Sequence, residues 1–403
     1  MLYQIHISKT VPYSSVIGTP CKYFTSEELS ASLKKEAGFK LLNLNIVSLD
    51  KNFNKLSTML STIDTKFDFI TLSEIGKKNI PSRAIMLKQL GYESKFEMPT
   101  LARGGVGLLF NENIDLVDRP DLKITPNIIK GKKLEVENIW YQTKSVNPKH
   151  DYIIGVIYRH PGGTVDCLTD FSDQLKETMS KINTEKTKCI IAGDLNIDGL
   201  KIENSNPTKY FFNNILEENF IPSITLPTRI TETSVTLIDH LLINEEVIKS
   251  QSDILTGNLF EDISDHLPNF IFIKHAEKSK NQKRKRVRIF GDTNMAEFNN
   301  KLRNSDWNRL LEIKDETEII DEFYKIWNKS YNQAFPFKNV SRKRSKDKKW
   351  ITTGLKISIR HKNRLYKKYL LNPTITNKLK YNSYKNKLTS CIKNAEADFY
   401  KKN

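Results

Sequence analysis

The chain has 403 residues, 38% of them apolar and 28% charged, with a net charge of +17. That length holds an ample core and more than one folding unit without covalent staples. Four scattered cysteines (Cys21, Cys167, Cys189, Cys391) exclude a disulfide framework and a zinc ribbon, and indicate a reducing compartment. No apolar run reaches membrane-spanning length, and the N-terminus, with His6 and Lys9, lacks a continuous signal-peptide core, so a soluble intracellular protein is expected.

Residues 1–38 form an N-terminal extension, with one helix predicted from Ser26 to Glu36 and ended by Gly38. From Phe39 short runs rich in Ile, Val, Leu, Phe and Tyr predict strands at Lys40–Val47, Phe67–Leu72, Gly105–Phe110, Ile139–Gln142, Tyr152–Tyr158, Lys188–Ala192, Thr236–Ile243 and Asn269–Ile273. Helical segments are predicted between them at Phe53–Ile63, Ile80–Leu90, Asp166–Ile182 and Thr208–Glu218. Strands outnumber helices about two to one, which favours an α/β body of packed sheets over a doubly wound single sheet.

Polar residues recur where these strands end. Asn45 shares a face with Asn43 and Val47; a buried amide there must be paired, and a strand-to-turn role explains it as well as a catalytic one. Glu74 closes the run from Phe67; it is either a solvated strand end or a ligand for a hard cation such as Mg2+. Gly104-Gly105-Val106-Gly107 lacks a phosphate-loop pattern and predicts a tight turn into a strand. Tyr158 and Arg159 close the next run with a phenol and a cation suited to phosphate. Gly193-Asp194-Leu195-Asn196 places an acceptor and a neutral amide side by side as a buried strand leaves its sheet. Asp239 lies within an apolar strand, where an unpaired carboxylate is costly, and His266 of Ser264-Asp265-His266 is its natural partner. Six such strand ends in succession point to metal-assisted phosphodiester hydrolysis.

The C-terminal part differs in charge. From Glu277 onward there are 33 Lys and Arg against 13 Asp and Glu, whereas the preceding residues carry 31 against 34. An approximately neutral catalytic body with a basic, nucleic-acid-binding tail is expected; a merely solvated basic tail is the plainer alternative. Residues 276–290 form a basic linker, around Lys278–Arg288, that serves as a nuclear localisation signal, a phosphate-binding strip or a solvated connection. Residues 291–403 predict helices at Thr293–Leu311 and Thr317–Ala334, then a pair broken at Asn372-Pro373. In the last helix Tyr381, Tyr384, Leu388, Cys391, Ala395 and Phe399 make one packing stripe.

The ordered segments Leu44-Asn45-Ile46, Leu72-Ser73-Glu74, Gly105-Val106-Gly107, Ile157-Tyr158-Arg159, Gly193-Asp194-Leu195-Asn196, Leu237-Ile238-Asp239-His240 and Ser264-Asp265-His266 resemble the endonuclease/exonuclease/phosphatase family over residues 39–275. They look most like the apurinic-type endonuclease domain of non-LTR (LINE-like, jockey-type) retrotransposons, as does Thr228-Arg229-Ile230-Thr231. Trp350-Ile351-Thr352, Asn363-Arg364-Leu365-Tyr366 and the Tyr384–Tyr400 helix resemble the stretch leading into the reverse transcriptase of such elements. No Y-x-D-D motif occurs, so the chain reads as truncated before the polymerase core and reverse transcription is not expected.

The resemblance implies a four-layer α/β sandwich of two mixed sheets flanked by helices, with a basic helical extension. It implies Mg2+, with Mn2+ as a substitute, on Glu74, Asp265 and Asn45. Asp194 would orient or deprotonate the attacking water, Asn196 would hold the phosphate, and His266 held by Asp239 would stabilise the developing charge. Tyr158 would bond the same phosphate, with Thr228 and Arg159 as weaker substrate contacts. Val47 stands where abasic-site repair enzymes carry an acidic residue, which argues against abasic-site repair and is compatible with nicking of ordinary DNA. The expected activity is strand nicking that leaves a 3′-OH primer, acting in the nucleus on target DNA, with element RNA as a further partner of the tail and no membrane involved. A phosphatase of the same superfamily acting on inositol phosphates or lipids, and a catalytically dead nucleic-acid-binding fragment, are the alternatives.

Overall fold

A computed structural model describes residues 21–33, 36–63, 65–129, 131–145, 151–249, 253–274, 285–288, 290–313, 316–340 and 350–402. The chain divides into two compact units, one made of residues 1–279 and 347–403, the other of residues 280–346.

In the larger unit the elements run β1 (Lys22–Phe24), α1 (Ser26–Leu33), β2 (Gly38–Asn45), α2 (Leu49–Thr62), β3 (Phe69–Ser73), α3 (Ile80–Gln89), β4 (Tyr92–Glu97), β5 (Val106–Asn111), β6 (Leu116–Asp118), β7 (Val136–Thr143) and β8 (Tyr152–Arg159). They continue through α4 (Val165–Thr184), β9 (Lys188–Asp194), α5 (Asn206–Glu217), β10 (Phe220–Pro222), β11 (Asp239–Asn244), α6 (Glu245–Lys249), β12 (Ile254–Leu259) and β13 (Asn269–Lys274). Seven strands form one mixed sheet in the order β1-β12-β13-β2-β3-β5-β4, and six form a second in the order β10-β11-β9-β8-β7-β6.

The central strands are buried on both faces, as their continuous apolar runs require. All eight residues of β8 are buried. One face of the first sheet carries Leu42, Leu44, Ile70, Leu72 and Phe270, which pack with Leu29 of α1, Phe53 and Leu56 of α2 and Leu87 of α3. Its other face meets the second sheet, where Phe39 stacks on Tyr152 with ring centroids 4.3 Å apart. Phe171, Leu175 and Met179 of α4 and Phe211, Phe212 and Ile215 of α5 complete the core beyond the second sheet. The result is the expected four-layer α/β sandwich.

A strand forms at each of the eight expected places, with one informative shift. Val235 and Thr236 pair instead with Arg229 and Ile230, and β11 begins at Asp239. The Thr228 hydroxyl takes the amides of Ile238 and Asp239, which interrupts pairing there and leaves Asp239 at a strand entrance. The sheet also extends N-terminally of residue 39, because β1 pairs in parallel with β12 and α1 packs on the same face as α2.

Two helices return to this unit from the C-terminal part of the chain: α10 (Thr353–Leu371) and α11 (Ile375–Lys402). Thr352 caps the first, and Asn372-Pro373 separates the pair as expected. Tyr366, Leu370 and Tyr381 form a small core with Ile230, Phe260 and Leu267. Of the predicted stripe, Tyr381 and Leu388 are buried while Cys391 is exposed.

The smaller unit holds α7 (Asp292–Arg303), α8 (Asn308–Glu312) and α9 (Glu316–Ala334). Asn304 caps α7 and Asp306 accepts the Asn308 amide, so the single helix predicted over Thr293–Leu311 becomes two. Phe298 meets Trp327 and Tyr331 of α9, and Phe335 just beyond its end, in an aromatic cluster. Residues 285–288, expected as linker, pair as a strand with Phe337–Val340, while 275–284 lie outside the described residues. The pairing partner stands some fifty residues away, beyond what local pattern reads.

Candidate active site

The polar strand ends gather at one edge of the sandwich, contributed by both sheets. In the first sheet β2 and β3 run parallel, with Asn45 opposite Ser73. The turns that follow are tied to each other: Ser48 N donates to Glu74 O at 2.6 Å and Leu49 N to Ile75 O at 2.9 Å. Val47, Ser48 and Glu74 all adopt positive φ (45°, 85° and 53°). For a β-branched residue such as Val47 that conformation is strained, and strain of this kind collects where surrounding structure fixes a functional geometry. Its effect is to bring Asn45 and Glu74 together.

In the second sheet β9 and β11 run antiparallel with Asp194 directly opposite Asp239. Gly193 makes this possible. At φ 148° its missing Cβ would lie 1.8 Å from the Ile157 carbonyl oxygen, so any side chain is excluded by the neighbouring strand.

Across the two sheets the groups join into one chain of contacts. Asn45 Nδ2 donates to Glu74 Oε1 and to Asp194 Oδ2, both at 2.8 Å. Asp194 Oδ1 accepts the Asn196 amide at 2.9 Å. His266 Nδ1 lies 2.9 Å from Asp239 Oδ2 and 4.0 Å from Asp194 Oδ2. Thr228 Oγ1 donates to the same Asp239 oxygen at 2.6 Å. Ser264 Oγ donates to the Asn45 carbonyl at 2.6 Å and accepts the His266 amide, which fastens the histidine loop to the end of β2. Asp194 and Asp239 are 1% exposed and His266 5%.

This burial sets the charge states. Burial and the neighbouring Asp239 charge push the Asp194 carboxyl up from its ordinary value, against the pull of His266 and two hydrogen bonds. Burial opposes a charged His266, but Asp239, Asp194 and Asp265 outweigh it and raise the imidazole to about 9. At neutral pH His266 is therefore an imidazolium, positioned by Asp239. Burial, with the charges of Glu74 and Asp194, holds the Tyr158 phenol protonated, as a donor hydrogen-bonded to Glu74.

The remaining expected residues have other surroundings. Arg159 is 4% exposed, and its guanidinium donates to the carbonyls of Leu195 (2.5 Å), Asn196 (2.7 Å) and Gly162 (3.3 Å). It clamps the loop after β9 instead of facing a substrate. Thr228 is fully buried, its hydroxyl shared between the Asp239 carboxylate and the amides of Ile238 and Asp239. Asp265 pairs with Arg229 at 2.7 Å, so its carboxylate already has a cation. Asn196, at φ 49°, donates its Nδ2 to the Arg159 carbonyl at 2.8 Å, which fixes its side chain at the rim.

Sequence reasoning passed over Glu137. It is 1% exposed on β7 and lies 2.9 Å from His160 Nε2, while the Thr100 hydroxyl donates to it at 3.2 Å. His160 in turn meets Tyr158 edge-on. Its signal was a carboxylate two residues before the apolar run that begins at Ile139.

Hard divalent cations prefer carboxylate and amide oxygens. Glu74 and Asp194, bridged by a single amide, form such a donor set, and the Asp239 Oδ1 atom is buried without a hydrogen-bond partner. Asp194, Asp239 and His266 are the one group of three acidic or histidine residues among those described whose ligand atoms lie within 4.8 Å of one another. Because His266 Nδ1 is engaged by Asp239, the imidazole stands as that carboxylate's partner beside Asp194, and the carboxylate oxygens of Glu74 and Asp194 are the groups suited to a cation, the Asn45 oxygen being taken by the Val47 amide.

A two-sheet sandwich with a buried carboxylate, an Asp-held imidazolium and an oxygen-rich edge defines a hydrolase fold of the phosphate-ester class. The chain matches the family model described as Endonuclease/Exonuclease/phosphatase family over residues 42–266, more than half of its length, and belongs to that family. Its members are typically metal-dependent nucleases or phosphatases. Solved structures similar to it include the 3′ phosphatase NExo from Neisseria bound to a product DNA hairpin (16% identity, 59% of this chain and 99% of that one, TM-score 0.44). Others are an AP endonuclease from Archaeoglobus fulgidus (15%, 58% and 99%, 0.44) and the endonuclease domain of TRAS1, a telomere-specific non-LTR retrotransposon (12%, 60% and 100%, 0.44). The comparison with curated proteins gives no match. Among the described residues no helix is long and apolar enough to cross a membrane.

Proposed function

We propose that this protein is a Mg2+-dependent DNA endonuclease of a non-LTR retrotransposon, hydrolysing one phosphodiester of target DNA in the nucleus to leave a 3′-OH primer. The observation that carries the reading is the continuous array Glu74–Asn45–Asp194 facing His266–Asp239. It supplies a water-activating carboxylate and a positioned imidazolium within one buried edge. The seven ordered sequence motifs support the retrotransposon assignment, and Val47 favours ordinary DNA over abasic sites as substrate.

The chemistry follows from the positions. Glu74, with Asn45 beside it, would hold a divalent cation, which would supply charge neutralisation and polarisation of the phosphate. Asp194 takes a proton from water as the water oxygen bonds to phosphorus and the bond to the 3′ oxygen breaks; that oxygen leaves with the electron pair and takes a proton from solvent to become the 3′-OH. His266, held by Asp239, donates to a non-bridging oxygen as its charge grows. Tyr158 places a second protonated donor at the same edge, and Asn196 a fixed amide at its rim. The basic C-terminal part adds nonspecific attraction to DNA, and to RNA of the element.

Incubation with supercoiled plasmid and Mg2+ tests the proposal. Nicked circles are expected from the wild type, religatable and extendable by a polymerase, and none from Asp194→Ala. Intact plasmid with the wild type, or equal nicking by the variant, overturns it. Release of inorganic phosphate from inositol phosphates at a higher rate than nicking would favour the phosphatase reading instead.

A further inference from the structure

The residues before the Ser264-Asp265-His266 loop are two further carboxylates, Glu261 and Asp262, only 3% and 6% exposed. A buried charge of this kind is costly unless paired. Their partners come from the other end of the chain. Asn363 of α10 donates to Glu261 Oε1 at 2.6 Å, and Ser26 at the start of α1 donates to the same oxygen. Lys362 of α10 pairs with Asp262 Oδ1, while Tyr381 and Lys385 of α11 reach Asp262 Oδ2 at 2.7 and 3.1 Å. Lys55 of α2 binds the carbonyls of Asp262 and Ile263 at 3.1 and 3.0 Å. On the far side of the loop, Leu267 packs with Tyr366, Leu370 and Tyr381. The two helices thus grip the chain four and five residues before, and one residue after, the histidine that Asp239 orients.

We propose that the α10–α11 pair is a positioning element of the hydrolytic centre: through Asn363 on Glu261, and Lys362, Lys385 and Tyr381 on Asp262, it fixes the loop carrying Ser264 and His266 and so sets turnover. Its cations paired with Asp262 serve this purpose and do not bind DNA. The proposal rests on the hydrolytic reading of the His266 site. None of the four named hairpin residues touches substrate; each acts through the loop.

The test uses the full chain with Lys362→Met, Lys362→Arg, Tyr381→Phe and, as a control, Lys368→Met, which changes an exposed cation of the same helix. Single-turnover nicking at saturating enzyme, DNA affinity and the NMR titration of the His266 ring are measured on each. Lys362→Met and Tyr381→Phe are expected to slow nicking about tenfold or more, as removal of a group supporting a reactive side chain does. Their DNA affinity should stay within about twofold. Lys362→Arg should retain most of the rate, Lys368→Met all of it, and the His266 titration should move in the slow variants. Unchanged nicking with a lowered melting temperature, or weakened DNA binding with an unchanged saturated rate, overturns the proposal. Should Lys362→Met not fold, Tyr381→Phe removes one hydroxyl and carries the same test. Should the wild type not cleave DNA, the hydrolytic reading falls by itself. The positioning claim then stands or falls on the NMR shifts of the His266 ring at fixed pH, with unmoved signals in folded Tyr381→Phe overturning it.

Discussion

His266 and Asp194 oppose each other in what they ask of pH. The folded pKa of His266 is raised from 6.5 to about 9, so its contribution to stability is complete below 6.5 and is lost as pH rises through about 9. Hydrolysis needs Asp194 ionised and His266 protonated. Its rate should therefore climb above the usual carboxylate range, level off, and fall near pH 9. A pH–rate profile checks this, and His266→Gln should remove the alkaline limb along with most of the activity. Gly193 gives a purely steric prediction. A methyl group 1.8 Å from the Ile157 carbonyl forces strands β8 and β9 apart, so Gly193→Ala should cost about 3 kcal/mol or more in urea unfolding.

At the scale of elements, the two strands that bring Asp194 and Asp239 face to face were legible, because their apolar runs and polar ends are local. So were Asn45 and Glu74 at the ends of β2 and β3. Strands β4 and β12 were not. Most of β4 is only partly buried, which leaves it with the polar pattern Tyr92-Glu-Ser-Lys, and β12 contains Gly257 and Asn258, both poor strand formers. The roles of Arg159 and Thr228 were equally hidden. Each contacts the site through partners set by tertiary packing, so their chemistry suggested phosphate while their burial gives them carbonyls and a carboxylate. Thr228→Val provides the check. Losing a hydroxyl that serves Asp239 and two backbone amides should cost about 1–3 kcal/mol and slow nicking, measured by unfolding and plasmid assays.

For the larger unit as a whole, the return of the C-terminal helices makes acid sensitivity a matter of docking. Burial works against the Asp262 charge, but Lys362 and Lys385 outweigh it and hold the carboxyl at about 2. The stabilisation is therefore complete above the ordinary value of 3.8 and vanishes as pH falls through about 2. Pepsin cleavage within α10 and α11 should rise steeply across that interval.

The hairpin's ion pairs also bear on how tightly ions surround the protein. Besides Lys362 and Lys385 on Asp262, Arg364 faces Glu27, Lys367 faces Glu28 and Lys378 faces Glu232. Such cations already have a carboxylate for a counterion and release nothing when DNA arrives. The logarithm of affinity falls with the logarithm of salt at about 0.9 per phosphate neutralised. A salt titration of DNA binding should thus show a shallower slope than the sequence's +17 suggests, reporting the lysines and arginines that no carboxylate holds.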